Sequence, residues 1–125
     1  MSTPVHRYLR LLKAELDDLI EDLEVIGTRY QERFDRNEIG SFVFQENEAL
    51  FKREIDAVGH FKTVVDGIEP SLYKGVDELE TTLLEKIDDL AARFEDPEAV
   101  SVFLRRKFAK VRAYLASGAG MPDFS

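Results

Sequence analysis

Residues 3–30 read TPVHRYLRLLKAELDDLIEDLEVIGTRY. Thr3 supplies an N-cap oxygen and Pro4 suits the first helical position, where a missing N–H costs nothing. Apolar residues then recur at Val5, Leu9, Leu12, Leu16, Leu19, Leu23, Ile26 and Tyr30. The alternating spacings of four and three make a heptad seam. The spacing predicts a helix over 4–36, about 50 Å long at 1.5 Å per residue. The sequence RNEIG, 36–40, breaks it.

Working outward, three more amphipathic segments follow. The second, 41–67, carries Val43, Leu50, Phe51, Ile55, Val58, Phe61, Val64 and Val65, with Ile68 just after them, and DGIEPS at 66–71 ends it. The third, 71–95, begins between Ser71 and Asp77 and carries Leu72, Val76, Leu79, Leu83, Ile87, Leu90 and Phe94. Gly75 blurs its start, and Asp77 with Glu80 offers an alternative capping box. Asp96-Pro97 opens the fourth, 97–117, with Val100, Phe103, Leu104, Phe108, Val111 and Leu115 on one stripe. Ser117-Gly118 closes it, with Lys110 and Arg112 toward its negative end.

Short connections make consecutive helices antiparallel neighbours. The expectation is an all-α protein, an antiparallel up-down four-helix bundle forming a single helical domain over 1–117. The first helix is longer than the fourth can cover, so completion by dimerisation is expected. Residues 118–125, GAGMPDFS, read as a flexible tail whose Met121 and Phe124 are candidate anchors.

The bulk numbers agree with charged amphipathic helices: 125 residues, 44% hydrophobic, 34% charged, few glycines and prolines. The absence of cysteine excludes disulfides, thiolate metal sites and cysteine nucleophiles. Arg7, Arg10 and Lys13 interrupt any secretory apolar run, and no apolar stretch approaches a membrane span. A soluble, cytoplasmic protein with no membrane role is expected. The formal charge of −8 argues against nucleic acid as a partner, and the basic segment 97–125 is too weakly charged to change that.

ELDDLIEDLE, Glu15–Glu24, packs six carboxylates into ten residues. On a helical wheel Asp17, Asp18, Glu21 and Glu24 fall on the outer face, while Glu15 and Asp22 flank the apolar stripe. Asp88 and Asp89 also fall outside or on the flank. Asp17/Glu21 and Asp18/Asp22 repel as like-charged i,i+4 pairs, so a charge contact is expected from Arg105 and Arg106 on the fourth helix. Glu54, Asn47, Glu80 and Lys107 instead interrupt apolar stripes. Buried charge is costly unless paired, so these read as an internal polar layer, with Glu54–Lys86 the expected pair.

No residue is assigned to catalysis, cofactor binding or metal binding. His6 and His60 lack the Glu-x-x-His setting of di-metal bundles. Glu21/Glu24 and Glu85/Asp88 resemble in form the paired acidic motifs of MazG-type pyrophosphatases, but they stand too far apart. Arg53 and His60 resemble the arginine-to-histidine spacing of HEPN-type ribonucleases, but in the second helix rather than late in the bundle. Phe42, Val43 and Phe44 exceed what one stripe can hide, so they read either as a cap over the first turn or as a docking patch. The expected function is non-enzymatic: a structural, regulatory or adaptor bundle acting through protein–protein contacts, with a second copy or another helical protein as partner. The alternatives are a magnesium-dependent carboxylate enzyme on nucleotide or phosphate substrates and, after it, a HEPN-like ribonuclease.

Overall fold

The computed structural model describes residues 3–117; the expected tail and its Met121 and Phe124 lie outside them. Four helices run in order: α1 (Pro4–Asp35), α2 (Ser41–Asp66), α3 (Val76–Phe94) and α4 (Glu98–Ser117). No described residue is in a strand. The start of α1 is as expected, with Thr3 Oγ1 accepting the His6 N–H at 3.2 Å. Successive helices pack against one another and α4 closes back onto α1. This is the helical bundle that the heptad pattern and short connections imply.

The start of the third helix differs from the sequence reading. Residues 71–75 are not α-helical: Pro70–Leu72 form one 3-10 turn, Tyr73 is extended, and Gly75 caps α3 without a side-chain bond. The Glu69 carboxylate holds both the N–H and the hydroxyl of Ser71, closing a local turn, and the extended Gly75 interrupts the chain before α3. The capping box between Asp77 and Glu80 does not form, because Glu80 is engaged by Tyr8 and Arg112 instead.

The core takes the apolar positions that the seam marks: Leu12 and Leu16 from α1, Val58 and Phe61 from α2, Leu79 and Leu83 from α3, Val111 from α4. Tyr8 and Phe108 meet edge to face at 6.4 Å, and Phe61 meets Phe108 at 5.8 Å. Each of these side chains gains roughly 1.5–3 kcal/mol from leaving water.

Length decides the rest of the shape. The 32 residues of α1 span about 48 Å and the 19 of α3 about 28 Å. The α3–α4 turn reaches the level of Arg53, whose guanidinium donates to the Glu95 carbonyl at 2.8 Å. Glu95 itself takes a left-handed conformation there, with φ of 52°. Among the described residues, α1 and α2 alone continue beyond that level. Residues 24–53 therefore form a two-helix arm on a four-helix body. All buried core residues of α1 lie at or before Leu23, and those of α2 begin at Glu54.

Candidate functional site

The body holds the polar layer that the interrupted stripes imply, with different partners from those expected. Glu15 does not flank the core: it is 2% exposed and receives Lys107 at 2.9 Å and Lys110 at 3.0 Å. A leucine-rich helix facing α4 carries it inward, and two lysine stems reach in to meet it. Burial works against the ionised carboxylate but is outweighed by the lysine hydrogen bonds and charges, so the Glu15 carboxyl lies below its ordinary value. Arg105 and Arg106 were expected in this role. Arg105 turns outward to Asp88 at 3.2 Å, because the face of α4 toward α1 is the one bearing Lys107.

Glu80, the second stripe glutamate, accepts the Tyr8 hydroxyl at 2.8 Å and lies 3.6 Å from Arg112. Burial, and then the hydrogen bond to Glu80, push the Tyr8 phenol far above its ordinary value. Arg112 also pairs with Asp77. These contacts tie α1, α3 and α4 at one level and fix their register. The outer carboxylates behave as surface groups: Asp17 meets Lys62 and Asp66 meets Lys13 across α1 and α2.

Glu54 is the exception. The expected pair with Lys86 is absent, since Lys86 is exposed on α3. Glu54 is 4% exposed and, among the described residues, has neither a hydrogen-bond nor an ion-pair partner. No fully enclosed polar side-chain atom among them lacks a partner, so the Glu54 carboxylate retains a solvent opening. Burial raises its pKa. It sits where the four-helix body gives way to the arm.

The arm is closed at its tip by a tight turn. Asn37 takes φ of 61°, a conformation asparagine tolerates, and the Glu38 N–H bonds the Arg33 carbonyl at 2.8 Å. Between its helices, Phe34 stacks on Phe44 at 4.5 Å and Tyr30 meets Phe51 at 5.3 Å, with the Arg33 guanidinium over the Tyr30 ring. Phe44 is thus an internal staple. Its neighbours in the FVF run are not: Phe42 is 73% exposed and Val43 is also exposed. With Val25, Ile26 and Leu50, they give the arm five of the eight large apolar side chains exposed among the described residues. Two helices cannot enclose both apolar faces of a hairpin, which is why a stripe that is core in the body becomes surface here.

Two concavities accompany this. A shallow groove of about 480 Å³ runs along one side of the arm, between Leu23, Gly27, Tyr30, Phe44, Phe51 and Ile55, with Glu24, Glu48 and Lys52 also lining it. A smaller cavity of about 220 Å³ lies between α2, α3 and α4, lined by Ala57, Phe61, Ile87, Leu90, Val100 and Leu104, with Asp96 in its wall. Burial raises the Asp96 carboxyl against the opposing charges of His60 and Arg53.

Among the described residues no group of three or more His, Cys, Asp or Glu is placed to hold a metal ion. His60 is exposed and stacks on Phe94 at 4.8 Å, while Arg53 is used at the α3–α4 turn. No described helix is long and apolar enough to cross a membrane. The extent of the exposed arm, residues 24–53, is what the sequence reading did not delimit. Its signal was the excess length of α1. Comparison with protein-family models, with curated proteins and with solved structures gives no match for this chain.

Proposed function

We propose that this chain acts through protein–protein contacts made by its arm, as a structural, regulatory or adaptor bundle without catalytic residues. The observation that carries this reading is the concentration of exposed Val25, Ile26, Phe42, Val43 and Leu50 on residues 24–53. Exposed apolar side chains concentrated beside charged residues are characteristic of an interaction face. Of the two carboxylates that a magnesium-dependent reading would draw on, Glu80 is engaged by Tyr8 and Arg112, while Glu54 belongs to no group of three or more His, Cys, Asp or Glu placed to hold a metal ion among the described residues. The formal charge of −8 favours a protein partner over nucleic acid. A cytoplasmic setting goes with this reading, as a cysteine-free chain needs no oxidising compartment.

The test is size exclusion of the protein in extracts of the cells that make it. The native chain is expected above its 14.3 kDa monomer mass. Leu50→Glu is expected to shift it to that mass without loss of helicity. A native chain that already elutes as a monomer would overturn the reading.

A further inference from the structure

We infer that the partner of the arm is a second copy of this chain, packed arm against arm about a two-fold axis perpendicular to the helices. The inference rests on the docking reading above and names its occupant.

The helix rows fix which face is involved. On α2, Val43, Asn47, Leu50, Glu54, Ala57 and Phe61 follow one another at spacings of four and three. Ala57 and Phe61 face α3 and α4 across the small cavity. Val43 and Leu50 therefore continue, on the arm, the same face that the α3–α4 layer covers on the body. On α1, Tyr8, Leu12, Glu15, Leu19, Asp22 and Ile26 make the matching row. Tyr8 and Glu15 face α3 and α4 through Glu80, Lys107 and Phe108, so Ile26 is likewise a continuation of a covered face. What the arm lacks is a covering layer of two antiparallel helices.

A second arm is such a layer, and it has the required length. The uncovered part of α1, residues 24–35, spans about 18 Å, and so does the arm that would cover it. With tips pointing in opposite directions, each arm occupies the space in which the other copy's α3–α4 layer stops. The parallel alternative brings two α3–α4 layers into the same space. In the antiparallel arrangement Val43 of one copy meets Leu50 of the other, and uncharged Asn47 lies at the axis opposite itself. The arm tip, with exposed Phe42, reaches the α3–α4 turn, where Phe94 is also exposed. Glu54 lies at this junction.

Charge permits the contact. Residues 24–53 carry six acidic and five basic side chains, so only −1 of the chain's −8 lies on the arm. Two arms therefore repel each other only weakly.

The experiment uses purified full-length protein. Sedimentation equilibrium is expected to give twice the 14.3 kDa chain mass. Leu50→Glu, at an exposed site that the monomer's fold does not need, is expected to give a monomer with unchanged circular dichroism. Because the chain has no cysteine, Asn47→Cys and Lys74→Cys variants report the geometry through a short bis-maleimide cross-linker. Asn47→Cys is expected to cross-link into dimers. Lys74→Cys, at the far end of the body, is expected to remain monomeric on denaturing gels. A purified chain that sediments as a monomer overturns the inference. So does a dimer that survives Leu50→Glu, or one that cross-links through Lys74→Cys and not through Asn47→Cys. If the purified chain is monomeric but runs in a larger complex in extracts, the docking reading stands and its partner is a different protein. If it is monomeric in both, the docking reading fails as well.

Discussion

The body and the arm share α1 and α2, and on α1 a single continuous heptad seam runs through both. In the body the seam is met by α3 and α4, and Leu9, Leu12, Leu16, Leu19 and Leu23 are all buried. In the arm it has no such cover, and Ile26 is exposed. Their buried glutamates differ in the same way. Glu15, deep in the body, is held by two lysines; Glu54, at the boundary, has no partner among the described residues. Identical pattern gives core where a second layer exists and interface where it does not. An apolar stripe states what a helix would bury, not whether anything is there to bury it.

The comparison is broken most directly by truncating the seam in each region. Leu12 is fully buried, and Leu12→Ala should cost about 2–5 kcal/mol in urea unfolding. An equal loss for Leu50→Ala at dilutions where the chain is monomeric would show that the arm has a core of its own.

The next largest effect is expected at Glu15. Glu15→Ala leaves Lys107 partly buried without its partner, and should cost about 2–3 kcal/mol, less than a fully enclosed pair because Lys110 is half exposed. The sign with pH follows from a lowered carboxyl. The Glu15 contribution is complete above the unfolded value near 4.5 and is lost as pH falls through the lower folded value. Thermal unfolding between pH 3 and 7, wild type against Glu15→Gln, measures it.

Glu54 should behave in the opposite sense. Its folded pKa is raised, so the ionised form destabilises at neutral pH and the penalty disappears as pH falls through the folded value. Glu54→Gln should therefore flatten this part of the pH profile, and Glu54→Leu should raise stability by about 1 kcal/mol at pH 7. A loss on Glu54→Leu would mean that the carboxylate has a partner in solution, and would remove the contrast with Glu15. The smallest effect is expected at Arg105→Ala. Its exposed pair with Asp88 should contribute under about 0.5 kcal/mol by chemical denaturation.

Much of the body was legible in the sequence. The four helices lie close to their expected bounds because periodicity, Thr3-Pro4 and the Pro/Gly breaks are local signals. The start of α3 was open in the sequence between Ser71 and Asp77, because Leu72 fits the stripe; the structure starts the helix at Val76, after an extended Gly75. That Glu80 and Lys107 belong to a polar layer was visible from their places in apolar stripes. Their partners were not, since Tyr8 and Glu15 lie 72 and 92 residues away in the chain.

By itself the sequence determined the number of helices, their antiparallel order and the apolar face of each, because these depend on spacing within a few turns. Only the tertiary structure decided where the covering layer stops. That boundary is set by the level that the α3–α4 turn reaches against Arg53, a contact 42 residues apart in the chain. The residues on either side of it, Leu50 and Val58, are both apolar seam residues in sequence. One is 40% exposed and the other is buried, because two packed helices end between them.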